Sequence, residues 1–177
     1  MTDIRQAISQ VGPINPKKET AEQDLPKPPR IVPGRRSSNL RVKRDFTEHE
    51  QDEFLDQSFE FIANFFEGSL DELKKRTSGI DVRFKRIDAR EFTAAVYRNG
   101  AKRTACRISF SASAGFGSGI AYSSGESGSG MSEHLSVKND GYTLLLKTMF
   151  GYQNSEGLTQ EGAAEHLWSK FIEPLQR

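Results

Sequence analysis

The sequence predicts an α+β fold: an N-terminal helix, an antiparallel β-meander of five or six strands, and a C-terminal helix packed on the sheet, preceded by a disordered basic arm. Three observations lead there. Apolar residues recur at helical spacing after residue 46 and again after residue 159. From Ile80 they instead alternate with polar ones, the period of a half-buried strand. Before residue 45 neither pattern exists, and prolines stand in its place.

Residues 1–45 read as the arm, and 46–177 as one domain. Residues 1–44 hold six of the seven prolines, Pro13, Pro16, Pro26, Pro28, Pro29 and Pro33, and no aromatic residue. Proline blocks regular pairing, and without a periodic apolar face nothing offsets the entropy of ordering the chain. Pro26 to Arg30 and Pro33 favour polyproline II, a form read by aromatic-lined grooves, although a plain spacer has the same composition.

In the domain, Thr47 and Glu50 form a capping box that starts a helix. Leu55, Phe59, Ile62 and Phe66 share one face, with Phe54, Phe61 and Phe65 beside them, and Asp52, Glu53, Asp56 and Glu60 lie opposite. Gly68 is expected to end this helix, with Ser69 and Glu72 capping a short second one through Arg76. Twelve phenylalanines in so polar a chain imply a core built largely from rings.

Ile80, Val82 and Phe84 alternate with Asp81, Arg83 and Lys85 in a first strand; Phe92 to Tyr97 and Thr104 to Phe110 form the next two. Between these two, Arg98-Asn99-Gly100 reads as a three-residue loop, aligning Phe92, Ala94 and Val96 with Cys106, Thr104 and Lys102. Fourteen of the 22 residues from Ser111 to Ser132 are glycine or serine, a composition that predicts a mobile loop, with Ile120 to Tyr122 as a possible short strand inside it. Leu135 and Val137, Asn139-Asp140-Gly141, and Tyr142 to Phe150 make a last hairpin. Thr159 then caps a helix whose stripe is Ala163, Ala164, Leu167, Trp168, Phe171 and Ile172, and Pro174 should stop it.

The net charge of +1 conceals segregation. Residues 1–44 sum to +6, residues 45–73 to −10 without one basic side chain, residues 74–107 to +8, and the rest to −3. Such blocks either attract one another within the fold or steer a partner of opposite sign.

The motifs of several chemistries are missing. One cysteine, Cys106, and three histidines, His49, His134 and His166, do not supply a zinc set, so no metal is expected. Gly125 to Gly130 and Gly115 to Gly119 each miss the hydrolase elbow by a residue, and neither the phosphate-binding loop nor the dinucleotide fingerprint occurs. His134, beside Glu133, is the histidine most worth testing. No catalytic residue and no cofactor are therefore assigned. Cys106, mid-strand and on the inward side, should act as a small apolar group. The lack of a disulfide partner, of a membrane-length apolar run and of a signal-like N-terminus gives a cytoplasmic expectation without membrane association.

What remains is the basic set. Arg83, Lys85, Arg86, Arg98, Lys102, Arg103 and Arg107 cluster around two hairpins with Tyr97 among them, and Arg35 and Arg36 extend the set into the arm. The expectation is a non-catalytic interaction module binding a protein or other anionic partner through these residues. Nucleic-acid binding by the same cations is the first alternative. A small-molecule sensor with a pocket between the sheet and the Phe-rich helix is the second, and an enzyme the third.

Overall fold

The computed structural model describes residues 39–113, 117–127, 131–150 and 156–177. Thr47 opens α1, Glu48–Arg76, with the expected reciprocal box: its Oγ1 accepts from the Glu50 amide, and Glu50 accepts from the Thr47 amide at 2.8 Å. Six strands follow among the described residues: β1 Ile80–Asp88, β2 Glu91–Arg98, β3 Ala101–Ser113, β4 Gly117–Ser124, β5 Met131–Asn139 and β6 Leu144–Thr148. The helix α2, Gln160–Gln176, closes the order. The sheet runs β1-β2-β3-β4-β5-β6, every neighbour antiparallel, so the α+β meander is the fold.

The strand period assigns the layers. Phe92, Ala94, Val96, Cys106, Ile108, Ile120, Tyr122, Leu135 and Leu146 point to one face. There they form a single core with Leu55, Phe59, Ile62, Phe66 and Leu70 of α1 and Ala163, Ala164, Leu167 and Phe171 of α2. Rings fill it: Phe59 and Phe66 each lie 5.7 Å from Phe92, and Phe66 lies 5.6 Å from Phe171. Order begins before Phe46: the Arg44 amide donates to the Gly141 carbonyl at 2.9 Å, and its guanidinium covers the Phe46 ring. Of the arm expected over residues 1–45, residues 1–38 lie outside the described residues.

Five expectations are corrected. Gly68 does not end α1, because Phe66 and Leu70 continue the buried stripe across it and outweigh the roughly 1 kcal/mol that a helical glycine costs; Glu72 pairs with Arg76 instead of capping a second helix. Asn99 and Gly100, at φ 53° and 80°, form a two-residue turn, and the register is Phe92↔Ile108, Ala94↔Cys106, Val96↔Thr104. The shift from there to Tyr97↔Lys102 leaves Arg103 as the extra residue of a β-bulge, which preserves the apolar face that the short turn alone would have scrambled. Much of the glycine- and serine-rich segment is strand, not loop: β4 is hydrogen-bonded between β3 and β5, with Ile120 and Tyr122 buried. Pro174 sits inside the last turn of α2, where only the bond to the Lys170 carbonyl is forfeited before the helix ends.

Trp168, expected as a core residue holding the last helix against the sheet, is the fifth. It is half-buried at the margin of the core, edge-on to Phe66 at 5.3 Å and to Phe65 at 6.5 Å on α1. Trp168→Ala should still cost about 3 kcal/mol, the lower end for a large aromatic because part of the ring is already wet. A drop in thermal midpoint of roughly 10 °C is the expected reading; an unchanged midpoint would mean that the two helices do not depend on this contact.

Candidate functional site

Both helices cover one face, so the side chains of opposite parity in the strands face away from them. Arg83 and Lys85 lie exposed on β1, an edge strand, in register with Ala95 and Thr93. Arg98 is exposed at the hairpin tip, which is fixed by the Asn99 amide donating to the Gly79 carbonyl at 2.9 Å. No ion pair holds Arg83, Lys85, Arg98 or Arg103 among the described residues. The neighbouring cations are matched. Arg107 meets Glu91 at 3.0 Å, Lys74 meets Asp81 at 3.6 Å, and Arg86 reaches Glu60 on the acidic helix. Arg107 is thus tied within the domain, and Arg35 and Arg36 lie outside the described residues.

The bulge brings part of the predicted set to a second place. Lys102, Arg103, Tyr122, Ser124, Lys170 and Pro174 line a cleft of about 370 Å³ where β3 and β4 meet the end of α2. Lys102 bonds Glu126 at 3.0 Å, which raises its pKa, and its ammonium lies 5.7 Å from the Tyr97 ring centre. Burial pushes the Tyr122 hydroxyl well above its usual range, so it is a neutral donor, bonded to Ser124. The Ser124 hydroxyl lies 3.1 Å from that of Ser132. Thr104 uses its own hydroxyl on the Phe171 carbonyl at 2.8 Å, anchoring α2 to β3.

Behind this cleft lies a buried carboxylate. Glu133 is fully buried on the core side of β5, in line with Leu135 and opposite Tyr122. Its Oε1 accepts the amides of His134 at 3.0 Å, Met149 at 3.1 Å and Phe150 at 3.0 Å. Its Oε2 meets His166 Nε2 at 3.0 Å and Lys170 Nζ at 3.6 Å. Burial, the largest single influence, would raise its pKa. The His166 bond, the Phe150 and His134 amides and Lys170 together overcome that and hold the carboxyl below 4.5. Such a saturated carboxylate is an anchor that ties the end of β6 and the middle of α2 to β5, since its lone pairs are already spoken for.

His134 points the other way. Its ring is buried against Gly119, and burial lowers its pKa although Glu133 opposes the shift. Cys106 is buried and its thiol is pushed up by desolvation, which makes it a packing group. No cluster of three or more metal-ligating side chains occurs among the described residues. No described helix is long and apolar enough to cross a membrane. At the other end of the sheet, Phe54, Phe61, Leu144 and Leu145 line an open, largely apolar groove of about 440 Å³.

Glu133, His166 and Lys170 were not assigned from sequence, yet a signal existed. Glu133, Leu135 and Val137 share one parity, so an acid stands on the inward face of a strand, and His166 and Lys170 are four apart on one side of α2.

Fold and site define a single α+β layer pair: a six-stranded meander with two helices on one face and a partly cationic face opposite. Residues 81–173, more than half of the chain, match the family described as the Y4lF protein domain, and the chain belongs to that family. The match runs from β1 into α2 and includes Arg103, Glu133, His166 and Lys170. A protein of Sinorhizobium fredii (strain NBRC 101917 / NGR234), named "Uncharacterized protein y4lF", is 43% identical over 149 residues, covering 81% of this chain and 46% of that protein. The chain therefore spans about half the length of this curated relative. No solved structure matches it.

Proposed function

We propose that the domain is a non-catalytic interaction module that binds an anionic partner, in the first instance a protein, through the cations of the β1–β3 hairpins. The observation that carries the reading is the remainder left after internal pairing. Arg86, Lys74, Lys102 and Arg107 each have an acid, whereas Arg83, Lys85, Arg98 and Arg103 stand exposed with none among the described residues. Arg83 and Lys85 share the sheet face turned from the helices, with Arg98 at the adjoining hairpin tip, and like-signed charge of this kind steers a partner of opposite sign. The competing account is protection of the β1 edge, since lysine and arginine on an edge strand discourage pairing with other sheets. Arg35 and Arg36 of the arm are proposed as further cations for the same partner. A cytoplasmic setting fits the one cysteine, free and buried.

The test is charge reversal at residues outside the cleft. Arg83→Glu, Lys85→Glu and Arg98→Glu together should leave stability within about 1 kcal/mol, as for most surface changes. Salt-dependent retention on an immobilised acidic peptide should fall steeply. Tyr97 beside these cations keeps nucleic acid as a second reading, favoured if a single-stranded oligonucleotide retains the protein at higher salt than the peptide does. Unchanged retention of the triple variant on both would overturn both, and leave edge protection as the role of these residues.

A further inference from the structure

We infer that the cleft between β3, β4 and the end of α2 binds a phosphate monoester, with Arg103 as its anchor. This rests on the interaction-module reading and names the group on the partner that the cleft would take. Arg103 is the extra residue of the β2–β3 bulge, and bulges re-aim side chains next to sites. It is exposed, lines the cleft and has no acidic partner among the described residues.

Lys170 enters from α2, 3.6 Å from Glu133, too far for a hydrogen bond, so its ammonium keeps donors for an incoming anion. Ser124 lines it from β4, its hydroxyl shared with that of Ser132 at 3.1 Å. A guanidinium fork, an ammonium and a hydroxyl from three elements thus line one cleft. That spatial arrangement suits the tetrahedral, doubly charged head of a phosphate ester, whereas a planar carboxylate would use the fork alone. At about 370 Å³ the cleft also has room for the group esterified to the phosphate, along the wall made by Pro174 and Ala105. The rival role for Arg103 is purely structural: a cation near the end of α2, whose last turn has no basic residue, would favour the helix dipole.

The experiment is calorimetric titration of the full chain at fixed ionic strength with inorganic phosphate, glycerol phosphate, a phosphoserine peptide and the same peptide unphosphorylated. Binding of the phosphorylated probes and not of the plain peptide is expected. Arg103→Gln should weaken it roughly 10- to 100-fold, the value of one lost charge-assisted pair, and leave the melting temperature in phosphate-free buffer unchanged. Lys170→Gln is the second variant, expected to weaken binding in the same direction. A phosphopeptide that binds more tightly than glycerol phosphate assigns the group to a protein, and equal affinity assigns it to a small organic phosphate. Equal binding of the plain peptide, or undiminished binding by Arg103→Gln, overturns the inference. So does a phosphate-free melting temperature that falls in Arg103→Gln while wild type binds no phosphate. If phosphate fails to bind while the Arg83, Lys85 and Arg98 variant still loses retention, the cleft assignment falls and the module reading stands. If both fail, so does the reading beneath it.

Discussion

Glu133→Ala should destabilise the domain by about 3–5 kcal/mol, the cost of removing one partner from a buried charged network. The side chain has no solvent exposure, and its loss strands the amide of Phe150 together with His166 and Lys170 around an empty volume, while the Met149 amide keeps the His134 carbonyl at 2.9 Å. Glu133→Gln should cost less but not little. The amide oxygen can still serve the three backbone donors, but its NH2 then faces the Lys170 ammonium, a donor itself, and suits His166 only in the tautomer with a bare Nε2. Chemical denaturation measures both, and a Glu133→Ala midpoint close to wild type would show that β6 and α2 are held without the carboxylate.

The pH dependence follows with a definite sign. Glu133 has a folded-state pKa below its ordinary 4.5, so its contribution is complete above pH 4.5 and is lost as pH falls through the depressed value. His134 also has its pKa lowered by burial, so the unfolded chain binds its proton first, and stability declines once pH drops below 6.5. Both effects act on the acid side. Melting temperature should therefore fall in two stages on acidification, and the stage below pH 4.5 should flatten in Glu133→Gln. A profile of the same shape in that variant would assign the acid loss to other carboxylates.

The helices and most strands were legible because each carries its period over many residues and its capping chemistry at the right place, as Thr47 and Thr159 do. The hairpin register was not legible, because it depends on a bulge. Nothing local to Arg98-Asn99-Gly100 reveals that Arg103 will be skipped; that choice is made by Cys106 and Ile108, which must reach the core beside Ala94 and Phe92. Gly68 misled because a helix breaker is weighed against the packing of its neighbours, and Leu70 and Leu73 are visible as partners only once the sheet exists. The cations could be listed from sequence, but their sorting into paired and unpaired required three dimensions. Arg86 and Arg83 differ by three residues, yet one faces Glu60 on α1 and the other does not. The Glu133 cluster joins residues 37 positions apart, and no local pattern contains it.

The largest misreading, glycine and serine as a mobile loop, carries the second large prediction. Gly119 lies in β4, opposite Ser111 on one side and Ser136 on the other, within a sheet that has strands on both flanks. A Cβ there would stand 2.4 Å from the Leu135 carbonyl oxygen and 2.5 Å from Cε1 of the His134 ring. The ring could turn aside, but the carbonyl belongs to the backbone of β5 and could yield only by parting two strands. Gly119→Ala should therefore cost about 3 kcal/mol, the upper part of the usual range for overpacking, although alanine has the better intrinsic tendency to order. Gly68→Ala is the matched control. It lies exposed on α1 with nothing within 4 Å of the added carbon, and should gain about 0.5–1 kcal/mol. Removing the ring as well, in Gly119→Ala with His134→Ala, should recover only part of the loss, because the Leu135 carbonyl stays where it was. Full recovery in the double variant would locate the strain in the imidazole alone, and a neutral Gly119→Ala would mean that β4 is not held between its neighbours at this point.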